Sequence, residues 1–275
     1  MKDIQSLHDT RRINIRKVGV KSLSYPIIVL DKESKTQQTQ ARMNMYVSLP
    51  HRFKGTHMSR FVEILNRFHG QFNLKTFHLI LEEMKVRLEA EAAHLEIAFP
   101  YFLTTGQSDQ APGMARYDCR LYGSLAQTFD LVVEVDIPVG LPVLADASLG
   151  TKRSSGIWGG VTVAVRMRRF LWIEDLIDLI EQSAALQSIV TETVESMCRR
   201  VSATLYANDS FHWYKVVVKN ITSGYSTFAS SEWPDPAPNR ADGLVEACFS
   251  KGAPGIDAVF PAYCANNSTR ADCNE

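Results

Sequence analysis

The sequence predicts an α+β protein with an antiparallel sheet and helices packed on one face of it. One segment has an apolar residue at every second position, as a half-buried strand does: Phe129, Leu131, Val133, Val135 and Ile137. Apolar stripes at helical spacing occur in two pairs, and each pair lies between groups of strands. This order predicts two ββαα-type repeats, each a ββααββ unit.

The first predicted repeat contains four strand regions and two helices. Strands are expected at residues 14–31, with a break at 21–23, and at 38–49, 95–99 and 114–123. The first helix is expected at 58–68, where Phe61, Ile64, Leu65 and Phe68 form one apolar stripe and Gly70 ends it. The second helix is expected at 74–93.

The alternating strand at 129–137 lies at the end of the first half, and the second predicted repeat comes after it. A strand at 161–165, helices around 172–180 and 190–205, and a strand at 211–220 follow, while 139–160 looks like a loop. We therefore expect one domain at 1–229, with halves at about 12–138 and 139–229. Residues 230–275 carry five prolines and little periodicity, which predicts an irregular or disordered tail.

Composition excludes several classes of protein. The 275 residues include 30 Lys and Arg and 30 Asp and Glu, so there is no basic excess for nucleic acid. The longest apolar runs have the length of strands, which argues against a membrane span. The five cysteines contain no CxxC pair. These features favour a cytoplasmic protein with free thiols.

Several strings resemble the GTP cyclohydrolase type IB family over roughly residues 3–229. The most specific is KGTHMSRF at 54–61, and the others are NIRKVGV at 14–20, QQTQARMNMYVSLP at 37–50 and FLWIEDLI at 170–177. The resemblance implies a tunnelling fold whose subunits assemble into barrels with active sites between them. It also implies a reaction that opens the imidazole ring of GTP to give dihydroneopterin triphosphate. We expect a homo-oligomer, a tetramer, with a purine- or pterin-like ligand.

The family's metal ligands have no match in this sequence. Val143 stands at the position of the ligand cysteine, and Ser155 at that of the first histidine. The segment with the ligand glutamate is missing between residues 185 and 193, and residues 221–229 contain no histidine. Valine and serine cannot replace a thiolate and an imidazole. We therefore predict no metal and no cofactor, and we expect Trp158 to fill the space where the metal would lie.

The family's ligand anchor does have a match. Tunnelling-fold enzymes pair a glutamate with the N–H edge of the heterocycle, and alignment places Glu195 at that position, with Glu192 as a competitor. The alternative for Glu195 is a surface pair with Arg199. Lys54, His57 and Arg60 precede or begin a helix, so they are candidates for substrate contacts. Their alternative is helix capping and subunit packing.

Three functions remain open from the sequence. The first is a diverged, metal-independent enzyme acting on a purine-like, pterin-like or other planar compound, with His57 and Glu195 as candidate catalytic residues. The second is an inactive structural or regulatory relative of a cyclohydrolase. The third is a GTP cyclohydrolase with ligands from elsewhere, such as the tail thiols Cys248, Cys264 and Cys273. Asp146 and Glu174 are alternative carboxylate bases, but they are predicted to be solvated residues in a loop and at a helix start.

Overall fold

A computed structural model describes residues 15–49, 57–68, 70–105, 113–140, 144–145, 152–153, 157–186, 192–221 and 224–234. In chain order the elements are β1 (Ile15–Asp31), β2 (Lys35–Leu49), α1 (Ser59–Arg67), β3 (Gln71–Phe72), α2 (Leu74–Arg87), β4 (Ala92–Thr105), β5 (Gly113–Leu125), β6 (Phe129–Gly140), β7 (Leu144–Ala145), β8 (Lys152–Arg153), β9 (Ile157–Met167), α3 (Ile173–Ala184), α4 (Val194–Ala207), β10 (Phe211–Ile221) and β11 (Ser226–Trp233). The predicted α+β class is confirmed, and the two-repeat organisation stays a prediction.

One large sheet organises the fold. Its nine strands lie in the order β11-β10-β9-β6-β5-β4-β2-β1-β3, and β7 and β8 form a separate pair. The long strands pair antiparallel, and the short β3 pairs parallel to β1 through two residues. The sheet is therefore a meander of long strands, as the alternating sequence patterns predict.

The antiparallel register defines two ends of the sheet. We call the end where β2 finishes at Leu49 and β10 begins at Phe211 the α1 end, because α1 begins there. We call the opposite end, where β9 begins at Ile157 and β10 finishes at Ile221, the α4 end, because α4 begins there. The eleven residues of β10, at a rise of about 3.3 Å each, separate the two ends by roughly 35 Å.

All four helices share one hydrophobic core with one face of the sheet. On β6, Val133, Val135 and Ile137 belong to this core, whereas the intervening Glu134 does not. The helix α2 packs on β4 and β5, α3 packs on β6, and α4 packs on β10 and β11. The period of two in β6 thus selects the face that the helices cover.

The helix boundaries follow local signals. Phe61, Ile64 and Leu65 are buried in α1, as their stripe predicts, and Gly70 adopts a positive φ of 72° after the helix. The helix α2 begins at Asn73, whose side chain accepts a hydrogen bond from the backbone N–H of Thr76. It ends at Arg87 rather than at the predicted residue 93, because Glu89 takes a positive φ of 48° and the strand β4 begins at Ala92.

Other strand features also differ from the prediction. The expected loop at 139–160 contains the end of β6, the pair β7 and β8, and the start of β9. The break expected at residues 21–23 is a bulge within a single strand, β1, where Ser22 has a positive φ of 56°. The strand β11 was not predicted, because its side chains lack a regular alternation of burial. It extends past residue 229, where we expected the domain to end, and that domain boundary stays a prediction.

The expected irregular tail lies outside the described residues from 235 onward. None of the helices described is long and apolar enough to cross a membrane.

Candidate functional site

A pocket opens at the α4 end of the sheet, where α4 begins beside the ends of β9, β10 and β11. Its volume of about 330 Å³ lies within the range of small-molecule sites, roughly 300–1,000 Å³. The residues that line it come from these four elements and from the turn before α4: Trp158, Glu192, Thr193, Val194, Glu195, Asn220 and Thr227. Two carboxylates, an amide and two hydroxyl groups thus face one concave space.

The start of α4 is fixed by a reciprocal cap. The Thr193 hydroxyl accepts a hydrogen bond from the backbone N–H of Ser196, and the Ser196 hydroxyl oxygen accepts one from the N–H of Thr193. This capping box satisfies N–H groups that the first turn leaves without helical partners. It places Glu195 in the first turn, at the positive end of the helix dipole.

Glu195 presents an ionised carboxylate at this pocket. Its side chain is exposed. Hydrogen bonds from its own backbone N–H and from the Thr193 hydroxyl hold the pKa of Glu195 below its usual range, and the charge of Arg199 acts in the same direction. Glu195 is therefore a hydrogen-bond acceptor at neutral pH.

Glu192 lines the same pocket but is engaged within the protein. Its side chain is only 6% exposed, and its Oε2 lies 3.2 Å from Nη1 of Arg200. The Ser196 hydroxyl lies 2.5 Å from Oε1 of Glu192. The two glutamates that compete in the sequence thus differ in the structure, because internal donors hold Glu192 while Glu195 faces solvent.

Trp158 and Asn220 form the wall of the pocket on the sheet side. Trp158 is buried in the core, and its carbonyl oxygen accepts a hydrogen bond of 2.9 Å from the side-chain amide of Asn220. Between them the chains of β9 and β10 touch at Gly159, where an added Cβ would lie 1.9 Å from the carbonyl oxygen of Lys219. The wall is therefore held by main-chain contact as well as by side chains.

The structure does not bring the other candidates to this pocket. Arg60 lies at the α1 end, where its Nη1 reaches the carbonyl oxygen of Arg87 at 3.4 Å, and the N–H of Arg60 bonds the carbonyl of His57. This end lies roughly 35 Å from the start of α4, by the rise of the strands. Lys54 lies outside the described residues. Within one chain, His57 and Arg60 are thus separated from Glu195.

The structure describes only part of the segments that the resemblance aligns with the family's metal site. No three His, Cys, Asp or Glu residues among them lie close enough together to hold a metal ion. Val143 and Ser155 lie outside the described residues, as do the tail thiols Cys248, Cys264 and Cys273. In the sequence, residues 141–156 contain Asp146 but neither cysteine nor histidine. Cys119 and Cys198 are free, as expected, and both are buried.

Sequence reasoning missed several parts of this site. Arg200 follows Glu192 by eight residues, a spacing outside the i+3 and i+4 neighbours that a helix brings together. Asn220 on β10 and Thr227 on β11 are cross-strand partners, and β11 was not predicted. A polar residue at the end of the predicted strand 211–220 was the available signal for Asn220.

Solved structures with a similar fold identify the architecture. The uricase from Arthrobacter globiformis superposes with a TM-score of 0.53 at 7% identity, covering 82% of this chain and 96% of that one. A hyper-thermostable mutant of AgUricase gives a TM-score of 0.56 at 8% identity, covering 86% of this chain and 97% of that one. The long antiparallel sheet with helices on one face is thus of the tunnelling type.

The sequence comparisons give the family. The model of type I GTP cyclohydrolase FolE2 matches residues 1–193. GTP cyclohydrolase FolE2 of Syntrophus aciditrophicus is 43% identical over 242 residues, covering 81% of this chain and 95% of that protein. GTP cyclohydrolase FolE2 of Geobacter sulfurreducens is 42% identical over 252 residues, covering 84% of this chain and 98% of that protein. The chain belongs to the GTP cyclohydrolase FolE2 family.

Proposed function

We propose that this protein is a GTP cyclohydrolase that binds GTP at the pocket where α4 begins. The carrying observation is the exposed, ionised carboxylate of Glu195 in that pocket, within a chain whose relatives are named GTP cyclohydrolase FolE2. The reaction would open the imidazole ring of GTP and rearrange the product to dihydroneopterin triphosphate.

The chemistry of guanine supports Glu195 as the anchor. Guanine carries a ring N–H and an exocyclic amino group side by side, and a carboxylate accepts two such hydrogen bonds in parallel. Glu192 is less suited, because Arg200 and Ser196 already occupy its oxygens. Adenine has no such pair of donors, so this anchor favours guanine-type and pterin-type rings.

A second candidate is a GTP-binding relative that has lost the ring-opening chemistry. The family chemistry relies on water activated by a metal, and the described residues offer no set of donors for one. The sequence favours this candidate because the segments 141–156 and 221–229 lack the cysteine and histidines that would bind the metal in the family. In this candidate the protein is either a metal-independent enzyme acting on a planar compound or a regulatory relative of a cyclohydrolase.

We also propose a homo-oligomer, with a tetramer as the expected size. His57 and Arg60 contribute to the Glu195 pocket only if another subunit supplies them, because one chain places them at opposite ends of its sheet. Two edges of the described sheet support assembly. One is the outer edge of β11, and the other is the outer edge of β1, which pairs with β3 through only two residues. Unpaired strand edges are sites where another chain adds.

The test measures binding and turnover on one sample. Calorimetry with GTP gives binding, and formate release with added magnesium, manganese or zinc gives turnover. GTP binding with formate release supports the cyclohydrolase, and binding without formate supports the second candidate. Absence of GTP binding overturns both. ATP serves as the matched control ligand, because its base lacks the paired donors that Glu195 requires.

A further inference from the structure

Arg200 ties together the three segments that meet behind the pocket. Its Nε donates to the carbonyl oxygen of Ser183 at 2.5 Å, and its Nη2 lies 3.4 Å from the carbonyl oxygen of Ala185, both at the end of α3. The same guanidinium reaches Glu192 in front of α4, with both Nη atoms 3.2 Å from Oε2. One side chain on α4 thus fixes the end of α3 and a glutamate of the pocket.

The ion pair with Arg200 neutralises Glu192, one of the two carboxylates that line the pocket. The side chain of Glu192 is 6% exposed, so water screens it poorly, and Arg200 supplies the compensating charge. Among the described residues Glu195 has no comparable ion pair, since its donors are a backbone N–H and a hydroxyl, with Arg199 a lesser influence. The pocket therefore contains one compensated and one available carboxylate.

We infer that Arg200 is a positioning residue of the ligand site, which neutralises and orients Glu192 so that Glu195 alone receives the heterocycle. This inference rests on the proposed binding of GTP. Without Arg200, Glu192 is an uncompensated carboxylate three residues from Glu195 on the same pocket. It then repels the triphosphate and competes with Glu195 for the ring donors.

A charge-rescue experiment distinguishes this role from a structural one. The variants are Arg200→Gln, Arg200→Lys and Arg200→Gln combined with Glu192→Gln. Arg168→Gln is the control, because Arg168 forms an exposed ion pair with Asp209 at the α1 end. GTP dissociation constants are measured by calorimetry, and thermal unfolding is followed in parallel.

We expect Arg200→Gln to weaken GTP binding about tenfold or more, equivalent to about 1.4 kcal/mol. Arg200→Lys keeps the charge and should stay within about threefold of wild type. Adding Glu192→Gln to Arg200→Gln should restore most of the affinity, even if the melting temperature stays low, because the lost contacts to α3 are not replaced. Arg168→Gln should bind as wild type does.

Two results overturn the inference and are distinguishable from each other. If wild type binds GTP and Arg200→Gln binds equally well, or the double variant is not rescued, Arg200 is not a positioning residue and the proposed function stands. If the wild-type protein shows a cooperative thermal unfolding transition, and is therefore folded, but binds no GTP, the proposed function fails and the inference fails with it.

Discussion

The hydroxyl of Tyr101 on β4 donates a hydrogen bond of 2.6 Å to the carboxylate of Glu174 at the start of α3. The same carboxylate oxygen accepts the backbone N–H of Lys32, just after β1, at 2.7 Å. The expected solvated helix-start residue is thus buried, with 7% of Glu174 exposed. Glu174 thus connects β4 and the end of β1, from the first half of the chain, to α3 in the second half.

We expect Tyr101→Phe to lower the free energy of unfolding by about 1–3 kcal/mol, because the buried carboxylate of Glu174 loses a donor while the ring volume is kept. Urea denaturation followed by circular dichroism measures the change. Tyr206→Phe is the control, since Tyr206 is 66% exposed and should change stability by less than about 0.5 kcal/mol. Equal stability of wild type and Tyr101→Phe would contradict this role.

Gly123→Ala should also destabilise the protein. A Cβ at Gly123 on β5 would lie 2.0 Å from the ring of Phe77 on α2, so the helix or the ring must move. Overpacking of this kind costs about 1–3 kcal/mol. Gly160→Ala is the matched control, because the nearest atom to its Cβ would be 3.5 Å away. Thermal unfolding of the two variants should separate them, and identical melting curves would show that the core yields easily at Phe77.

Glu195→Gln should weaken GTP binding about tenfold or more, because an amide presents donors to the donors of guanine. Glu91→Gln, at an exposed position after α2, is the control. The lowered pKa of Glu195 keeps its carboxylate ionised as the pH falls from 8 to the ordinary glutamate range. The contribution of Glu195 to GTP affinity, measured as the difference between wild type and Glu195→Gln, should therefore stay constant over that interval and be lost only in stronger acid. Selective loss in Glu192→Gln would transfer the anchor to Glu192.

Co-expression of two defective chains tests whether subunits share a site. His57→Ala removes a residue at the α1 end, and Glu195→Gln removes one at the α4 end. If one chain supplies His57 and another supplies Glu195, random mixing restores about a quarter of the GTP sites, as expected for a head-to-tail interface. Each variant alone should bind weakly. A mixture that binds no better than the single variants would argue that the two residues do not act in one site.

Chelation tests whether ligand binding depends on metal. The described residues around the pocket contain no set of three metal ligands, so treatment with EDTA should leave the affinity for GTP unchanged. Elemental analysis before and after treatment measures how much metal EDTA has removed from the protein. A loss of affinity that zinc restores would place metal ligands in segments near the pocket, or in the tail thiols.

Much of the fold could be predicted from apolar periodicity, and its failures have physical reasons. Leu88 and Ala90 are buried and extend the apolar pattern beyond Arg87, so the sequence does not reveal that Glu89 turns the chain there. The strand β11 is only partly buried along its length, so its pattern is weak.

The candidate site was predictable only in part. Glu195 was found through the family resemblance, and its role stays a proposal. The separation of His57 from Glu195 depends on strand register, which no local pattern encodes. The contact between Arg200 and Glu192 depends on how the chain turns between α3 and α4, and spacing alone does not specify it.

The close contact at Gly159 has a consequence for directed evolution. With the main chain of β10 against its Cα, any side chain at this position must push the two strands apart beside Trp158 and Asn220. A saturation library at position 159, selected for folded protein, should return glycine almost exclusively. Efforts to change the ligand preference therefore have to vary the residues around Gly159, since no other side chain fits at position 159 itself.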